Sequence, residues 1–113
     1  TQTVGVTTED CIKNEPEKIK NIIAARRAAV DYLYSNPKDA AKLIAKAYGE
    51  KVSEDVAIIA VQNMVDINYW GRGNFEIPAL EAMLEGLRMQ GSWEGPIDWN
   101  DVIDSSFLPS DLQ

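Results

Sequence analysis

The sequence contains no histidine and a single cysteine, Cys11. Without histidine there can be no Ser-His-Asp triad, no Cys-His dyad and no HExxH zinc site. With one thiol there is no disulfide within the chain and no cysteine-cluster metal site. A lone cysteine suits a reducing or an oxidising compartment, so it leaves localisation open. Cations are also scarce: 11 Lys plus Arg stand against 18 Asp plus Glu, a formal charge of −7. Such a balance repels phosphate backbones and anionic lipid, and only Arg26 and Arg27 are adjacent cations, so neither nucleic acid nor direct membrane insertion is expected. No apolar run approaches the ~18 residues of a spanning helix and Thr1 opens no signal-like segment. On these grounds the chain reads as cytosolic, or mature, or a piece of something longer.

What remains is ordinary globular material. The 113 residues are 45% hydrophobic and 26% charged, enough for one domain with a real core and too few for two. The expected architecture is mostly α: one N-terminal strand followed by four main helices, residues 1–113 forming a single domain or fragment.

The strand is Thr3-Val4-Gly5-Val6-Thr7, where apolar and polar residues alternate. A single strand cannot satisfy its own backbone groups, and no second strand follows. Thr8 is placed to cap a brief helical turn through Cys11 and Ile12. Asn14-Glu15-Pro16-Glu17 then reads as the start of a long helix to about Tyr34, with Asn14 as N-cap and Ile19, Ile22, Ile23, Val30, Leu33 and Tyr34 on its inner stripe. Asn36-Pro37 stops that helix and opens the next, which turns Ala40, Ala41, Ile44, Ala47 and Tyr48 inward and ends at Gly49 with a left-handed cap. Ser53 opens a third helix: Val56 to Val61 would by composition serve equally as a buried strand, but the cap and the continuing Met64, Val65 and Ile67 favour a helix, apolar nearly all round and therefore central. A loop with two glycines, Tyr69 to Asn74, precedes a fourth helix from Pro78 to Gly91 with Leu80, Met83, Leu84 and Leu87 inward. In the apolar tail from Trp93, Asp98 caps one turn and Pro109 ends regular structure.

Each candidate site has a plain alternative. Arg26, midway along the long helix's inner stripe, is either a cation aimed at an anionic ligand or a side chain that snorkels or pairs with an acid. Tyr69, Trp70 and Phe75, around Gly71 and Gly73, are either a ligand wall or core anchors at a helix end. Gly71-Arg72-Gly73 has neither the Walker nor the GxGxxG spacing. Asp98, Asp101 and Asp104 lack the EF-hand pattern, and Ser105-Ser106 has no base to activate it. The residues supply no self-contained catalytic set, no metal site and no cofactor site, and the chain is read as a non-enzyme.

The order of these features resembles a known family. Thr7-Thr8-Glu9-Asp10-Cys11-Ile12-Lys13-Asn14-Glu15-Pro16-Glu17, then Ala29-Val30-Asp31-Tyr32-Leu33, then Asn36-Pro37 with Ala40-Ala41, then Tyr69-Trp70, and finally Trp99-Asn100-Asp101-Val102-Ile103-Asp104-Ser105-Ser106-Phe107-Leu108-Pro109 resemble the C-terminal third of NMT1/THI5-like periplasmic substrate-binding proteins. These include the sulfonate, taurine, nitrate and thiamine-pyrimidine receptors of ABC importers. The resemblance implies a fragment of a two-lobe α/β receptor of periplasmic-binding-protein type II fold. In it a small molecule is enclosed between the lobes without catalysis and passed to an ABC permease. The parent would be periplasmic or extracellular, free or lipid-anchored. Residues 1–8 would be the strand crossing the hinge and residues 9–113 the C-terminal helical part. Thr7 and Thr8, with Tyr69 and Trp70, would lie nearest the ligand. Isolated, such a fragment is expected to hide its strand and apolar faces by self-association, as a homodimer. The alternative from the residues alone is an independent helical protein–protein interaction module. A third reading, the thiamine-pyrimidine synthase of the same fold family, depends on histidine and cysteine-rich elements absent from this sequence.

Overall fold

The structure is a computed structural model that describes residues 4–113. Among the described residues it holds six α-helices: α1 (Glu9–Asn14), α2 (Pro16–Ser35), α3 (Pro37–Tyr48), α4 (Glu54–Asp66), α5 (Ile77–Met89) and α6 (Trp99–Val102), with a 3₁₀ turn at Gly49–Lys51. The chain is mostly helical, as its composition suggests. Thr3 of the expected strand lies outside the described residues. Val4 to Thr7 carry no strand, and among the described residues there is none with which they could pair. Alternation alone does not make a strand, because its stability comes from cross-strand partners. Val6 is 89% exposed and so has no packed face to hold it.

The helix ends follow local chemistry closely. The Thr8 hydroxyl accepts from the Cys11 amide at 3.2 Å, the Ser53 hydroxyl from Val56 at 3.4 Å and the Asp98 carboxylate from Asn100 at 2.9 Å. Gly91, at φ 69°, closes α5: its amide donates to Arg88 and that of Ser92 to Leu87, both at 2.9 Å. That pair of bonds is the Schellman arrangement, in which a left-handed residue after the helix satisfies two terminal carbonyls. Gly49 also has positive φ, 61°, but its ψ of −139° turns the chain into the 3₁₀ turn and not into the left-handed helical conformation expected of it.

Two caps differ from expectation. Asn14 is the last residue of α1, and its side chain donates back to Asp10 at 2.7 Å. The carbonyl of Glu15 receives the first amides of α2 instead, from Lys18 and Ile19. Asn36 sits at the start of α3 without a side-chain cap; its carbonyl accepts from Ala40 at 2.9 Å. In both places a neighbouring proline fixes the backbone, so the amide side chain is not required for the start.

The described contacts divide the chain into two compact units, Thr1–Lys20 with Gly73–Gln113, and Asn21–Arg72, the boundary falling inside α2. Charge divides with them. The first has twelve acidic and four basic residues, net −8, whereas the second has six acidic and seven basic, net +1. In the first unit Leu80, Leu84 and Leu108 are buried. In the second, α3 packs on α4 through Ala41, Ala45, Ala57 and Val61, flanked by Leu33, Ile44, Val52, Ile58, Val65 and Trp70. Short side chains at the contact let the two backbones approach closely.

The expected inward faces are only partly covered. Ile22 on α2 and Tyr48 on α3 are exposed, as are Met83 on α5 and Val102 on α6. The far side of α4, at Val56, Ile59 and Ile67, is 59–70% exposed. α4 is thus not central; α3 covers one side, and the apolar residues opposite have nothing over them among the described residues. Because Ala41 is fully buried at the contact, Ala41→Leu forces α3 and α4 apart. It should lower unfolding free energy by about 1–3 kcal/mol in urea melts followed by circular dichroism.

Candidate functional site

The chemically densest place in the chain is where the loop after α4 lies along α2, within residues 21–72. It is built around Tyr34. The hydroxyl of Tyr34 donates to the Trp70 carbonyl at 2.9 Å and accepts from the Trp70 amide at 3.1 Å, so one side-chain oxygen satisfies both backbone groups of a residue 36 positions away. Loop backbone has no ladder of its own, and an unpaired half-buried amide or carbonyl costs on the order of 1–3 kcal/mol. Trp70 then stands edge-on to both Tyr34 and Tyr69, with ring centroids 6.2 and 5.6 Å apart. Its indole packs on the alanine contact of α3 and α4.

Two arginines tie this loop to α2, and a third shares an acid with one of them. Arg26 donates from Nη1 to the Gly71 carbonyl at 3.1 Å. Arg72 donates from Nε to Asp31 at 3.1 Å, while its guanidinium carbon lies 5.5 Å from the centre of the Tyr34 ring. Arg27 reaches the same Asp31 carboxylate at 4.0 Å. Arg26 therefore neither snorkels nor pairs with an acid but holds a backbone carbonyl, and Asp31 serves the other two arginines.

The residues expected near a ligand are separated by unit. Thr7 and Thr8 belong to the first unit, and Thr8 is engaged as the cap of α1. Tyr69 and Trp70 belong to the second; Trp70 is half-buried as a core anchor, whereas Tyr69 is 47% exposed. Tyr34, Arg72 and Asp31 were not singled out by sequence reasoning. The signal that could have found them is Tyr34 on the same α2 face as Arg26 and Val30, opposite a loop whose glycines leave backbone groups unpaired.

The first unit has an open groove of about 250 Å³ between Phe75, Ile77, Trp99, Ile103 and Leu112, with Asn100, Ser105 and Gln113 as its polar lining. That is below the ~300–1,000 Å³ of ordinary ligand pockets, and of the residues weighed as a ligand wall or cleft lining only Phe75 borders it, not Thr7, Thr8, Tyr69 or Trp70. Trp99 is fixed by its ring N–H on Glu81. Two of the three regularly spaced acids bind nearby backbone: Asp98 caps α6 through the Asn100 amide, and Asp104 accepts from the Ser106 amide, both at 2.9 Å. No group of three or more potential metal ligands occurs among the described residues. No helix of the described residues is long and apolar enough to cross a membrane.

Removing the bridging oxygen in Tyr34→Phe leaves the ring but strands both backbone groups of Trp70. It should cost about 1–3 kcal/mol in urea unfolding, together with a change in tryptophan emission. The Ser106 hydroxyl, and after it the Ser106 amide, hold the Asp104 carboxyl below the usual carboxylate range. The ionised form is favoured in the fold, so the stabilisation is present above the ordinary Asp pKa and is lost as pH falls through the depressed value. In a carboxyl NMR titration Asp104 should protonate at lower pH than an ordinary aspartate. Ser106→Ala should move it only part of the way back, because the amide remains. No protein-family model matches the chain, and neither the curated proteins nor the solved structures provide a match.

Proposed function

We propose that the chain is the C-terminal part of a solute-binding component of an ABC importer, of the NMT1/THI5-like group, which captures a small molecule between two lobes and performs no covalent chemistry. The observation that carries this reading is the unpartnered apolar surface. Val4 and Val6 flank a glycine in a segment with no strand to join among the described residues, and Val56 and Ile59 on α4, with Ile67 at its end, are largely exposed while the other side of the helix is packed. Segments this apolar belong against further protein, and a crossing strand and lobe-covering helices of a larger receptor would meet that requirement. The ordered series of caps from Thr8 to Asp98 supports the same reading, on which Thr7 would be the residue offering a hydroxyl to the ligand. An ABC permease is then the macromolecular partner, and the location is periplasmic or extracellular.

A second reading, a self-standing helical interaction module, is favoured by one observation: residues 21–72 hold a core of their own around Ala41, Ala45, Ala57 and Val61.

The test is a thermal-shift screen of the whole receptor containing this chain against small anions and heterocycles, followed by Thr7→Ala. A ligand-dependent rise in Tm that shrinks in the variant is expected. A flat response across the panel overturns the importer reading. Light scattering separates the second reading: the isolated chain should exceed 12.5 kDa at high concentration if its apolar faces need covering, whereas a stable monomer would favour the module.

A further inference from the structure

We propose that the groove bordered by Phe75 and Trp99 binds a small primary arylalkylammonium ion, one aromatic ring carrying a short chain that ends in a protonated amine. The groove lies wholly within residues 73–113, and the inference goes beyond the importer reading and does not depend on it.

Five of the eight residues along the groove are apolar, two of them aromatic, and its volume of about 250 Å³ suits one ring with a short chain better than a larger molecule. The polar residues decide what the chain must end in. Asn100 and Gln113 both have their amino groups engaged within the protein, Nδ2 of Asn100 on Asp98 and Nε2 of Gln113 on the Leu108 carbonyl, each at 2.9 Å. What each has left to offer a ligand is therefore a carbonyl oxygen. The indole N–H of Trp99 is also taken up, by Glu81, which fixes that wall before any ligand arrives. Ser105 supplies a hydroxyl, which accepts as readily as it donates. A lining of rings and acceptors, with its side-chain N–H donors already spent, asks for a ligand that brings N–H donors of its own.

Charge sets the sign of that ligand. Residues 73–113, which supply the whole lining, carry eight Asp and Glu side chains and one cation, Arg88. Arg88 is occupied by Glu85 at 3.5 Å and by the Gly95 carbonyl at 3.0 Å. Glu76 follows Phe75 in the chain, Asp101 follows Asn100 and Asp104 precedes Ser105, so acids flank the lining in sequence at each of its segments. Glu76 and Asp104 bond to neutral donors, the Asn74 side chain and the Ser106 amide, and keep their charge. An anion is repelled from such a place and a cation drawn to it, and the faces of aromatic rings add to the attraction for an ammonium group. The groove is open to solvent, so salt screens the pull and the affinity is modest.

The experiment is an NMR titration of the 113-residue chain at low salt, following the Trp99 indole N–H and the side-chain amides of Asn100 and Gln113. Three probes of nearly one shape are compared: phenethylammonium, 2-phenylethanol and 3-phenylpropionate. The expected result is a saturable shift of these signals with the ammonium, binding about tenfold weaker with the neutral alcohol, and no saturable shift with the carboxylate. Ser105→Lys, at an exposed position, sets a competing ammonium beside the groove and should weaken phenethylammonium binding about tenfold or more. Gln113→Lys, also exposed, should do the same and provides a second variant should the first disturb the turn from Ser105 to Leu108. Equal binding of alcohol and ammonium overturns the proposal, as does the lack of a saturable shift with phenethylammonium or wild-type binding in both lysine variants.

Discussion

The close approach of α3 and α4 is the constraint from which most of the second unit follows. Ala41 and Ala45 meet Ala57 and Val61, so the backbones come near each other, but four small side chains remove little apolar area from water. The contact must therefore be closed by larger groups at its margins. Leu33 and Ile44 come from the helices before α4, Ile58 and Val65 from α4 itself, and Trp70 from a loop. A tryptophan supplied by irregular backbone has to be held by something other than helix hydrogen bonds. That requirement accounts for the density of polar contacts around residues 70–72.

Those contacts come almost entirely from α2. Val30 turns inward while Tyr34, one turn on, takes up the amide and carbonyl of Trp70, and Arg26, one turn back, takes the carbonyl of Gly71. The same helix face thus provides both apolar packing and hydrogen-bond capacity, in the order the loop passes over it. Asp31, on the neighbouring face, positions Arg72 and completes the clasp. Tyr69 and Trp70 are adjacent in sequence yet differ in role: the half-buried indole packs on the alanine contact, whereas the Tyr69 ring is more exposed and lies against the indole.

Local chemistry was the legible part of the sequence. Thr8, Ser53 and Asp98 cap helices because a short side-chain oxygen beside a helix start has little else to do, and Pro37, Pro78 and Gly91 mark boundaries through backbone sterics. Asn14 misled because an amide one turn after Asp10 is satisfied within α1. The Val4 to Thr7 strand and the central place of α4 were not legible, for a common reason: apolar periodicity records what a segment could pack against, not what is present to cover it. Arg26 was recognisable as unusual, but its acceptor, a carbonyl 45 residues away, depends on tertiary placement that no spacing rule encodes.

The edge-on stacking of Tyr34 and Trp70 also has an optical side. At a centroid separation of 6.2 Å, light absorbed by the phenol is passed to the indole before it can be re-emitted. While the clasp is shut, that phenol is dark. A resident fluorophore pair of this kind makes the chain its own gauge of whether the loop is seated on the helix.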